Sequence, residues 1–200
     1  MPRLTEATKR ARRESIVSAA FQCFAEKGLA GTSMADIIEA AGLSAGSIYS
    51  HFESKTEIIR LVASEVLGES QEILSEAAGQ GRAQPPGDLI MRVFTRFTGR
   101  DRARVLLQVW SEVVQDPTLV VHIQDFFARA HDVLYPPLEA WIRQEFGLDG
   151  EALADAVRRA FDHTIAATHG CIVRLAIDSL IDPEVFTREI ADSLNRMRFA

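Results

Sequence analysis

Cysteine is scarce in this chain of 200 residues: Cys23 and Cys171 are its only two, far apart and each inside a helical pattern. That usage argues against a disulfide framework and suits a reducing compartment. No apolar run approaches the roughly 18 residues that a membrane-spanning helix needs, and the opening MPRLTEATKR lacks the hydrophobic stretch of a signal peptide. The expectation is a cytoplasmic protein with no membrane partner. Also missing are a glycine-rich phosphate loop, a GxSxG elbow, an HExxH pair and a paired-cysteine metal pattern. His163 and His169 are six apart, on different faces of one helix, and make a poor metal pair. We therefore expect no enzyme, no cofactor and no metal.

Strand patterns are missing too. Apolar residues recur instead at three- and four-residue steps, and a hydrophobic content of 47% is enough to bury a proper core. The punctuation predicts a long helix from about 55 to 78 ending in the loop GQGRAQPPGD, then helices at about 88–98 and 102–115. A segment at about 118–146 should kink or break at Tyr135-Pro136-Pro137, because proline lacks the N–H that a helix interior uses. A long helix follows at about 151–179. A last one opens at Asp182-Pro183-Glu184, where aspartate caps and proline fits the first helical position.

Residues 32–55, TSMADIIEAAGLSAGSIYSHFESK, carry the most information. Ser33 and Asp36 form a capping-box pattern, so a helix should start near Met34. Gly42 should end it in the left-handed conformation. Ser44 can cap a second short helix in which Ile48 and Phe52 lie four apart on one face. The small hydroxyl residues fall elsewhere. Ser54 and Glu57 repeat the capping pattern and start a third helix near Lys55. Two short helices joined by a glycine turn are the outline of a helix-turn-helix.

From Ile16 to Lys55 the chain resembles the N-terminal domain of TetR-family transcriptional regulators. The segments IVSAAFQCFAEKG and TSMADIIEAAGLSAGSIYSHFESK follow that pattern in their order of glycines, apolar positions and the Tyr49-x-x-Phe52 pair. The resemblance implies an all-α fold of about nine helices. A three-helix DNA-binding head would cover residues 1–54, and a larger ligand-binding and dimerisation bundle residues 55–200. It implies DNA contacts at Thr32, Ser33, Ser44, Ala45, Gly46, Ser47, Tyr49, His51 and Lys55, with the helix of residues 45–51 in the major groove and Lys55 on the phosphate backbone. Ala45 departs from the pattern: many members carry lysine or arginine there, so one contact is lost, or the alanine methyl meets a thymine methyl. The N-terminal arm, with Arg3, Lys9, Arg10, Arg12 and Arg13, could follow the backbone or enter a minor groove. Residues 1–56 hold seven Lys or Arg against six Asp or Glu, whereas the whole chain has net charge −6.

Self-association is expected on the last two helices. Ala156, Ala160, His163, Ala167, Gly170 and Arg174 form a mostly small stripe. Phe186, Ile190, Leu194 and Met197 form an apolar strip that either folds back on its own chain or meets a second copy. The resemblance implies the second, a two-fold four-helix interface and hence a homodimer reading a palindromic double-stranded DNA operator. Helical bundles place ligand sites between helices, and the candidates here are Phe94, Phe97, Trp110, Phe126 and His169. Trp110 lies in WSEVVQDP, which resembles a pattern of the same regulators. The resulting expectation is a repressor released by a small molecule. An architectural or protein-interaction factor using the same head without a ligand stays open.

Overall fold

The computed structural model describes residues 6–79, 82–96 and 99–198, and these form nine helices and no strand. They are α1 (Glu6–Gly31), α2 (Met34–Ala41), α3 (Ala45–Tyr49), α4 (Lys55–Ala78), α5 (Pro86–Arg96), α6 (Arg100–Gln115), α7 (Pro117–Phe146), α8 (Gly150–Ile177) and α9 (Pro183–Asn195).

The first four helices meet through Ile16, Ala20 and Phe24 of α1, Ile37 of α2, Ile48 of α3, and Ile58 and Val62 of α4, all buried, and this cluster runs on into the core of the rest. At Gly28, α1 is kinked, with φ 76° and ψ 164°, a conformation glycine adopts without a Cβ penalty. Beyond the head, α4 packs on α7, α8 on α6 and α7, and α9 on α5.

The sequence expectations for α4 and for the caps at Asp182 and Ser54 match the structure to within a residue or two. The one at Tyr135-Pro136-Pro137 does not. There α7 runs through without a break. Two interior prolines cost roughly 3 kcal/mol or more each. Against this, Leu134, Leu138 and Ile142 all point into the core on the same face, and each such burial contributes about 1.5–3 kcal/mol. The Pro137 carbonyl also accepts the N–H of Gln84 from the preceding loop at 3.1 Å. Packing on both sides of the helix overrides the local signal.

Candidate DNA interface and ligand pocket

The helix-turn-helix is built by its caps. Ser33 Oγ accepts the N–H of Asp36 at 3.2 Å while the Asp36 carboxylate accepts the Ser33 N–H at 2.7 Å, so two free donors at the start of α2 are met reciprocally. Lys27 closes an ion pair on the same carboxylate. That hydrogen bond, followed by those from Ser33, holds the Asp36 acid well below its ordinary range. Gly42 ends α2 with φ 63°, and Ser44 Oγ then accepts the N–H of Ser47 at 3.2 Å to start α3.

Burial of Ile48 and Phe52 fixes which face of α3 is turned outward. Ser44, Ala45, Gly46 and Tyr49 are exposed, Tyr49 to 51%, and His51 is half-buried beside the Phe52 ring. Ser33 is exposed at the start of α2. Two of the expected contact residues are turned inward. Thr32 is only 2% exposed, and its hydroxyl donates to the carbonyls of Gly28 at 2.8 Å and Cys23 at 3.1 Å, which ties down the kinked end of α1. Ser47 is half-buried, with its Oγ enclosed and unpaired among the described residues. Lys55 is engaged within the chain: its ammonium donates to the carbonyls of Leu29 at 2.9 Å and Thr32 at 2.8 Å. It therefore staples the start of α4 to the end of α1, where unpaired carbonyls attract a cation. In the arm, Arg10 and Arg13 are exposed and Arg12 is half-buried; Arg3 lies outside the described residues.

In the body a cavity opens between α4, α5, α6, α7 and α8. It brings together four of the five candidates, Phe94, Trp110, Phe126 and His169, with Phe97 lying outside the described residues. The His169 ring meets Trp110 edge-on at 4.4 Å between centroids and Phe127 at 5.7 Å. Burial in this setting disfavours the imidazolium and pushes His169 below its ordinary pKa. The free space is narrow, about 60 Å³ for the centres of water molecules, and among the described residues no Asp, Glu, Lys or Arg lines it. The hydroxyl residues Ser70, Thr164 and Thr168 also line it and were not flagged by the sequence. Their helical spacing looks like that of any packed face.

Head and body are joined by a side chain that the sequence did not flag. Gln108 of α6 accepts the N–H of Leu29 on its Oε1 at 2.6 Å, just past the kink at Gly28. Arg60 of α4 adds an ion pair to Asp116 at 2.8 Å.

The comparisons with known proteins agree with this geometry. Residues 16–62, which span the latter part of α1, α2, α3 and the start of α4, match the model of the family described as bacterial regulatory proteins, tetR family. Over those residues the chain is similar to the TetR family. It is 33% identical over 117 residues to the HTH-type transcriptional regulator TtgR of Pseudomonas putida, covering 58% of this chain and 49% of that protein. It is 39% identical over 71 residues to the HTH-type transcriptional repressor KstR2 of Rhodococcus jostii, covering 34% and 35%. The chain thus spans about half, or less, of the length of these curated relatives. The crystal structure of the TetR-family transcriptional regulator PfmR from Thermus thermophilus superposes with a TM-score of 0.60 at 22% identity, over 90% of this chain and 97% of that one, so the likeness of fold extends through the body.

The expected dimer stripe needs correction at Ala156, Ala160 and Leu194. Ala156 and Ala160 are fully buried within the single chain, and Leu194 is buried as well. Phe186, Ile190 and Met197 are half-buried against the chain's own core, since α9 packs on α5. Arg174 lies 5.6 Å over the Phe186 ring. Thr187, Ala191 and Leu194 are the buried residues of α9, while Phe186, Ile190 and Met197 keep part of their surface open on the single chain. Ala167 is half-buried, whereas His163, Gly170 and Arg174 remain exposed. The outward face of α8 is continuous: His163, Ala166, Gly170, Arg174 and Ile177 are exposed at three- or four-residue steps. It leads to Leu180, 94% exposed, and Val185 beyond. Cys23 and Cys171 are buried free thiols; burial pushes Cys171 up to about 11 and raises Cys23 too, so neither is set up as a nucleophile.

Proposed function

We propose that the chain acts as a homodimeric transcriptional repressor that binds a palindromic operator and leaves it when a small molecule enters the body cavity. The observation that carries this reading is the double duty of α6. Leu106 and Trp110 line the cavity, and between them Gln108 holds the kinked end of α1 that carries the DNA-reading head. α4 repeats the arrangement, with Leu67, Ser70 and Leu74 on the cavity and Lys55 on the carbonyls of α1. A molecule that spreads α4 from α6 shifts both attachments together, and the head turns with them.

The exposed face of α3, with Ser44, Ala45, Gly46 and Tyr49, is the surface offered to the major groove; Ser33 and His51 flank it. One such helix reads few bases, so specificity calls for two of them on half-sites about 34–36 Å apart or a multiple of that. The α8 face from His163 to Ile177, continued by Leu180 and Val185, supplies the dimer contact. Its small residues allow close approach, and its large apolar ones want a cover.

The reading is tested by selecting bound sites from random duplex DNA with the purified protein, then titrating the selected duplex by fluorescence polarisation. Expected are palindromic sites, a stoichiometry of two chains or a multiple of two per site, and release by a subset of apolar metabolites. Selection of no site, or binding of a single chain per site, would overturn it.

A further inference from the structure

The polar side chains of the body cavity are unevenly equipped. Among the described residues, Ser70, Thr164 and Thr168 are the hydroxyls lining it. A hydroxyl carries one hydrogen, and all three are already given away along their own helices. Ser70 donates to the Val66 carbonyl at 2.6 Å, Thr164 to Ala160 at 2.7 Å and Thr168 to Thr164 at 2.8 Å. What each still offers is oxygen lone pairs. His169 in its neutral form adds one accepting and one donating nitrogen, and the indole N–H of Trp110 is the remaining donor of the lining. Everything else is Leu, Ile, Val or Phe.

Resting on the reading of this cavity as the effector site, we infer that it selects a neutral, apolar, ring-bearing molecule carrying one hydrogen-bond donor, whose O–H is received by one of the hydroxyl oxygens of Ser70, Thr164 and Thr168. Charge is selected against because, among the described residues, no Asp, Glu, Lys or Arg lines the cavity and burial disfavours the His169 imidazolium, and an ion stripped of water without a partner is strongly disfavoured. A molecule that can only accept meets three oxygens with no hydrogen to give. The ring is received by the edges and faces of Phe126, Phe127 and Trp110, which are set at 71° and 73° to their neighbours rather than stacked shut. Because the free space is small, an occupant must part the helices to enter, so binding and movement of α6 are one event.

Three probes of nearly one shape decide the matter: 4-tert-butylphenol, which donates; 4-tert-butylanisole, which only accepts; and 4-tert-butylbenzoate, which is charged. Binding is read from Trp110 fluorescence in the full chain carrying Trp141→Phe. The phenol is expected to bind at least tenfold tighter than the ether, and the benzoate not to bind at millimolar concentration. In the Ser70→Ala/Thr164→Val/Thr168→Val variant the preference for the phenol should disappear while the ether binds as before, which also shows that the variant is folded. Thr168→Val alone, at a half-buried position, should reduce the preference in part. Equal binding of phenol and ether, tightest binding of the benzoate, or no binding of any probe would overturn the inference. Phenol binding that leaves the DNA complex intact would instead count against the effector reading and leave the donor preference standing.

Discussion

A methyl group built on Gly87 would lie 2.1 Å from the backbone carbonyl oxygen of Ala191, so α5 and α9 cross with no room for a side chain between them. The contact is reinforced on both sides. The Gly87 N–H donates to Asn195 Oδ1 at 2.7 Å, and Asn195 Nδ2 donates to Asp88 at 3.0 Å. The nearest atom in the way is backbone, which cannot swing aside. Gly87→Ala is therefore expected to destabilise the fold by about 1–3 kcal/mol, as overpacking does. A thermal melt of variant against wild type checks this, and an unchanged midpoint would show that the crossing is looser than described.

Asp36 gives the head a pH dependence of known sign. Its carboxyl sits below the ordinary value of 3.8 because Lys27 and Ser33 hydrogen-bond the ionised form. An acid depressed in the folded state contributes its stability in full above the unfolded value and loses it as pH falls through the folded one. The melting-temperature gap between wild type and Asp36→Asn should be constant from about pH 6 to 8 and close below about pH 4. A gap that widened in acid would contradict the assignment.

Tyr49 and Lys55 should separate DNA contact from structure. Tyr49 is half-exposed with no structural duty apparent, so Tyr49→Ala should weaken operator binding by about 1–3 kcal/mol and leave the melting temperature alone. Lys55→Ala removes the ammonium from two carbonyls of α1, so both DNA affinity and the stability of the head should drop. Loss of affinity without loss of stability would return Lys55 to a plain phosphate contact.

Gln108→Leu leaves the Leu29 N–H without its acceptor, a loss of about 1–3 kcal/mol for a buried donor. It should also blunt the release of DNA by an effector more than it weakens effector binding itself. Parallel titrations, of the variant with effector by Trp110 fluorescence and of its DNA complex by polarisation, give the two numbers. Equal losses in both would remove Gln108 from the coupling.

Ile177→Glu and Leu180→Glu test the dimer face. Both positions are open on the single chain, so neither substitution should unfold it. Sedimentation velocity should show the wild type as a dimer and the double variant shifted to monomer. A wild type that is monomeric at micromolar concentration would defeat the proposal.

The caps of α2, α3 and α4 were legible in the sequence because a serine that accepts the N–H three residues on, and a glycine after an apolar run, act within a single turn. The same locality explains the success at Asp182 and Gly42. What the chain order could not announce was which face of a helix would find a cover. Ala156 and Ala160 read as a small stripe suited to another subunit, yet α6 and α7 lie on that side of α8 and bury it. Tyr135-Pro136-Pro137 likewise stayed helical because its neighbours hold the turn in place.

The amino-acid sequence by itself determined the helices, their ends and the outward rim of α3, since capping, proline geometry and apolar spacing operate over three or four residues. Only the tertiary structure decided that Lys55 and Thr32 bind carbonyls of α1, that Gln108 joins α6 to the head, and that three hydroxyl residues line one cavity. Those pairings join residues up to 79 positions apart, and they exist only where packing has first brought the helices within a hydrogen bond of each other.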